Sequence, residues 1–157
     1  MDSSKLQRAF PFFYYWLIVF IFMSIIFYYS TTSLKIKPYY PNQDKTLHFV
    51  VYAGLGFLMK RAFFNTLFSN KKKVAIYISI LSASFFGASI EVCQIYCNRS
   101  FEIADIIANS LGATAGCFLY IFFYKKIYPK MRKKFSIISK IEKYYEENRH
   151  GSLSDVL

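Results

Sequence analysis

The stretch that decides how this chain is read is Glu91–Asn109, EVCQIYCNRSFEIADIIAN. It sets Glu91, Gln94, Arg99, Asp105 and Asn109 at the facing ends of two strongly apolar segments. An ionisable side chain at the centre of a membrane helix costs roughly 3 kcal/mol on insertion scales, so it turns toward a protein interior and marks function by default. The connection over Cys97–Glu102 is too short for anything but an antiparallel helical hairpin.

Working outward, the remaining apolar segments have the same length. Of 157 residues, 55% are hydrophobic and 21% aromatic, and the mean hydropathy is +0.26 despite 20 Lys and Arg. Apolar and basic residues are therefore segregated, as in helices buried in lipid with charged ends. Spans are expected at about 10–29, 46–64, 74–96 and 103–124, each near the roughly 20 residues a bilayer crossing needs. The expected fold is all-α: a polytopic membrane protein with a four-transmembrane-helix bundle over 1–124 and a basic tail over 125–157.

The first segment is longer than a signal-peptide core and lacks a small-x-small cleavage pattern, so it is expected to be retained. Pro11 is expected in its first turn, where a missing N–H is tolerated. Asp44 is placed to cap the second helix, and Asp44, His48, Tyr52 and Gly56 recur every four residues along one face. Ala83, Gly87, Glu91 and Gln94 share a face of the third helix. Asp105, Asn109, Gly112 and Gly116 share one on the fourth. Small residues let helices approach closely in lipid, and polar groups there need partners. Three helices thus each place polar residues near one end with small residues deeper, which predicts one shared pocket.

Four spans put both termini and the loop between spans two and three on one side. Sixteen of the 20 basic residues fall there, against Lys35, Lys37, Lys45 and Arg99 on the other. The positive-inside rule makes the basic side cytoplasmic and turns the pocket outward. The net charge of +11 is accounted for by topology and by attraction to anionic lipid, and nucleic acid is not an expected partner. Phe135, Ile138, Ile141 and Tyr145 recur at helical spacing, which predicts a short amphipathic helix lying on the membrane in the tail. Cys93, Cys97 and Cys117 imply no disulfide framework.

Three motifs, Asp44-Lys45-x-x-His48-Phe49-x-x-Tyr52, Glu91-x-x-Gln94 and Arg99-Ser100-Phe101-x-x-x-Asp105-x-x-x-Asn109-x-x-Gly112, stand in this order. In them the chain resembles the VanZ-like family of small bacterial membrane proteins. The resemblance covers most of the chain, from the first span through the fourth. It implies four transmembrane helices, a bacterial cytoplasmic membrane and a link to glycopeptide antibiotics, since the namesake is associated with teicoplanin resistance. It implies no established reaction.

Two readings of the polar set stay open. In the first, the pocket binds or modifies a cell-envelope lipid or its head group, a lipid-linked precursor or a glycopeptide. Glu91 or His48 would act as acid or base with Asp105 orienting a partner. Arg99 would hold a phosphate or carboxylate, with Gln94, Asn109, Asp44 and Tyr52 completing the binding surface. In the second, the same residues form a closed network that locks the bundle. A metal site drawn from Asp44, His48, Glu91 and Asp105 has a single His in a span, so no metal and no cofactor are expected. A channel would need a continuous polar path, which one-sided polarity does not give.

Overall fold

The computed structural model describes residues 3–32, 39–68, 71–97 and 100–129. Four helices follow one another: α1 Ser3–Thr31, α2 Gln43–Thr66, α3 Lys72–Tyr96 and α4 Ile103–Phe122, the last followed by a π-helical turn over Phe123–Ile127. All four are long and apolar enough to cross a membrane, the fourth together with its π turn. The expected amphipathic tail helix and Arg99 lie outside the described residues.

Two local expectations are corrected. The polar lead Ser3–Arg8 is itself helical, so Pro11 sits inside α1 instead of in its first turn. Membrane helices tolerate such a residue because neighbouring groups re-satisfy the freed carbonyl. Asp44 does not cap α2; Asn42 does, with a left-handed backbone (φ 61, ψ 22) and no side-chain bond to the helix. Asn is one of the few residues that adopts this conformation readily, which leaves the Asp44 carboxylate in the first turn free to point elsewhere.

The chain forms two compact units, one ending at Tyr120 and one beginning at Ile121. In the first, polar contacts fix helix directions. Trp16 Nε1 donates to Thr66 Oγ1 at 3.2 Å, joining the start of α1 to the end of α2. Gln94 Nε2 donates to the Ser30 carbonyl at 3.1 Å, joining the ends of α3 and α1. Asn65 Nδ2 donates to Tyr120 Oη at 3.4 Å, joining the ends of α2 and α4. The four helices therefore alternate up and down, with α2 touching all the others.

The closest packing is between α2 and α4, which run parallel. A Cβ added at Gly112 would collide with the Phe49 carbonyl, and one at Gly116 with the Ala53 carbonyl, a turn further along both helices. One at Gly56 would collide with the Ala113 backbone. Glycine is required here because backbone meets backbone. Around this seam the buried core is small: Val19 and Ile26 of α1, Tyr52, Leu55, Met59 and Ala62 of α2, Ala83 of α3 and Ala113 of α4. The outer faces carry exposed apolar residues such as Leu81, Phe85 and Leu111, as expected of surfaces whose solvent is hydrocarbon.

Lys60, one of the basic residues on the side of the termini, is buried in the bundle. It is 2% exposed, with its ammonium 4.4 Å from the Phe64 ring and 5.5 Å from that of Tyr120. Ring faces are a substitute for water around a cation. In the second unit, Lys126 lies over Phe122 at 5.4 Å.

Candidate functional site

The polar residues converge where α2 and α4 begin and α1 and α3 end. Tyr52, Glu91, Gln94, Asp105 and Asn109 are all buried. His48 Nδ1 lies 3.0 Å from Asn109 Oδ1, across the α2–α4 seam. An amide oxygen only accepts, so the imidazole donates from Nδ1, and in the neutral ring the lone pair is then on Nε2. Gly87 makes the assembly possible from the α3 side, since a Cβ there would stand 2.9 Å from both Asn109 Nδ2 and Tyr52 Cε1. The Tyr52 ring stacks near the imidazole, with centroids 6.5 Å apart and planes at 24°.

Nε2 of His48 faces two carboxylates, Asp44 Oδ1 and Asp105 Oδ2, each at 3.8 Å. One ligand atom from each of Asp44, His48 and Asp105 lies within 4.8 Å of the others. Glu91, fully buried, is outside this trio; its Oε1 accepts the backbone N–H of Glu102 at 3.0 Å. Arg99, expected to hold a phosphate or carboxylate, lies outside the described residues.

Two further residues enter the site that the motifs leave without a role. Lys45 Nζ donates to Glu102 Oε2 at 2.7 Å and stands 3.8 Å from Asp105 Oδ1. Beside this ammonium the Glu102 carboxyl is held below the ordinary carboxylate value, first through the hydrogen bond and then through charge. The signal is present in the sequence: Lys45 stands inside the first motif, and Glu102 is the one acid in the α3–α4 connection.

The network is not closed. Tyr52 Oη, Glu91 Oε2, Asp105 Oδ1 and Asn109 Nδ2 are buried without a hydrogen-bond partner. Leaving such an atom without a hydrogen bond costs about 1–3 kcal/mol; of the four, Asp105 Oδ1 has the Lys45 ammonium 3.8 Å away. Beside them lies a cavity of about 370 Å³. One wall is apolar, from Phe22, Ile25, Ile26 and Tyr29 of α1 with Leu47 and Val51 of α2; Asp44, His48, Tyr52 and Gln94 give it a polar side.

A family model, VanZ/LLP1, matches residues 3–124. The chain belongs to the VanZ/LLP1 family. Among curated relatives of this VanZ/LLP1 protein, an uncharacterized protein of the fission yeast Schizosaccharomyces pombe, C11E3.10, is 32% identical over 94 residues, which are 59% of the chain and 55% of the relative. The chain thus spans about half the length of that relative. No solved structure matches it.

Proposed function

We propose that this VanZ/LLP1 family protein binds an amphipathic envelope lipid, taking the acyl chain against α1 and the head group at the polar end formed by Asp44, His48, Tyr52 and Gln94. The observation that carries the reading is the cavity of about 370 Å³ with an apolar wall and a polar side. That volume lies in the range of small-molecule sites, enough for a head group and the first methylenes. The four unpartnered buried polar atoms support binding over a packing role. By the distribution of basic residues, the mouth of the cavity opens away from the cytoplasm. A fungal relative favours chemistry found in every membrane over a group peculiar to the bacterial wall. Glycopeptide susceptibility would then change only as a consequence of lipid handling.

The test is lipid retention by detergent-purified protein, read by native mass spectrometry. Val51→Trp, which fills the cavity, is expected to lower the retained fraction at least fivefold. Leu81→Trp, on a lipid-facing surface of α3, is expected to leave it unchanged. Equal retention by both variants would defeat the reading. Teicoplanin susceptibility of cells with and without the gene tests the resistance link separately.

A further inference from the structure

We infer that Asp44, His48 and Asp105 form a divalent-cation site at the polar end of the cavity, and that this cation receives the phosphate of an anionic lipid head group. The first half stands on the geometry of the trio; the second rests on the lipid-binding reading above.

Three lone pairs converge here. His48 donates from Nδ1 to Asn109, so the neutral ring presents its Nε2 lone pair to Asp44 Oδ1 and Asp105 Oδ2 at 3.8 Å each. An N–H···O hydrogen bond needs about 2.7–3.2 Å, so a protonated ring bonded to either carboxylate does not fit these separations. Donors bound to one ion at about 2.1 Å stand about 3 Å apart when adjacent and about 4.2 Å apart when opposite. A separation of 3.8 Å lies between those two values and exceeds a hydrogen bond, so the three groups stand around a common point without bonding one another. A ligating His also characteristically anchors its other ring nitrogen on an acceptor, as Asn109 does here.

A second observation is independent of the trio's spacing. Asp105 is 3% exposed, and its Oδ1 has no hydrogen-bond partner. The hydroxyl of Tyr52, on the cavity wall, has none either. Tyr52 lines the polar side of the cavity, and Asp105 stands next to it, 3.8 Å from the His48 ring. Asp44, by contrast, has a side chain 53% exposed, which gives an ion a way in. Three protein ligands leave coordination positions open for an oxygen donor.

The electrostatics select the head group. The described lining of the cavity includes no Lys or Arg; the nearby Lys45 ammonium is shared between Glu102 at 2.7 Å and Asp105 at 3.8 Å. A phosphate entering beside Asp44 and Asp105 would meet like charge unless a cation stood between them. A carboxylate and imidazole donor set suits Mn²⁺ or Zn²⁺.

The experiment uses Mn²⁺ as probe, with electron paramagnetic resonance of the full chain in detergent. One saturable Mn²⁺ per chain is expected, displaced by Zn²⁺, with affinity lowered tenfold or more by His48→Ala and by Asp44→Asn. Asp44→Asn changes a half-exposed side chain and leaves the fold intact, so loss of binding there reports the site itself. Unsaturable Mn²⁺, or wild-type affinity in both variants, overturns the site. Retention of phosphatidylglycerol and of diacylglycerol is then compared with Mn²⁺ and with chelator. Retention of phosphatidylglycerol alone, lost with chelator, is expected. Retention indifferent to chelator overturns the bridging role. Bound Mn²⁺ with neither lipid retained overturns the lipid-binding reading and leaves the cation site standing.

Discussion

His48 and Asn109 meet across the α2–α4 seam at 3.0 Å, imidazole Nδ1 to amide Oδ1, and this contact sets which ring nitrogen faces the carboxylates. Replacing Asn109 with Ala leaves a buried N–H without an acceptor and is expected to cost about 1–3 kcal/mol of stability. Asn109→Asp keeps the acceptor and is expected to be milder. Thermal unfolding compares the two variants. Nitrogen NMR of the wild-type ring at neutral pH is expected to find the proton on Nδ1; a proton on Nε2 would mean that the ring presents a donor, and no lone pair, to Asp44 and Asp105.

Tyr52→Phe separates a binding surface from a lock. Its hydroxyl is buried and unpartnered, so the lipid-free protein is expected to gain stability, by about 1 kcal/mol, when the oxygen is removed. Lipid retention is expected to fall in the same variant. If the hydroxyl closed a structural network, thermal unfolding would show destabilisation instead.

The glycine seam makes a graded prediction. Gly112→Ala and Gly116→Ala drive a Cβ into the carbonyls of Phe49 and Ala53, and helix backbones cannot yield without separating. Each is expected to destabilise by about 1–3 kcal/mol. Gly54→Ala meets the edge of the Phe22 ring at 3.2 Å, a side chain that can rotate away, and is expected to be tolerated. Unfolding midpoints in detergent check the order.

Acid weakens the Lys45–Glu102 pair. The Glu102 carboxyl is depressed below its ordinary value of 4.5, so its contribution is present above that pH and is lost as pH falls through the lower folded value. Both side chains are partly exposed, at 34% and 43%, which keeps the effect small. The difference in thermal midpoint between wild type and Glu102→Gln is expected to shrink as pH falls below 4.5 and to vanish once pH passes the depressed folded value. A difference constant across the titration would count against the pair.

A reporter fused after Leu157 is expected to report the cytoplasm, because the basic residues crowd that side. A periplasmic or extracellular signal would invert the bundle and turn the cavity inward.

The sequence by itself determined the four spans and the polar face of each helix, because a run of apolar residues and a four-residue spacing are local facts. Ala83, Gly87, Glu91 and Gln94 were legible as one face and are all buried; so were Asp105, Asn109, Gly112 and Gly116. Local spacing carries no distance between helices. That His48 faces Asp44 and Asp105 together, while Glu91 turns to the Glu102 backbone, was decided by the backbone contact of α2 with α4. Lys60 shows the same limit from the other end. Its place near the end of α2 carries no information on its surroundings, and the rings of Phe64 and Tyr120 stand 4.4 and 5.5 Å from its ammonium. Only the packed bundle decides which side chains a charge will meet, since that depends on which helix faces come together and how closely their glycines allow it.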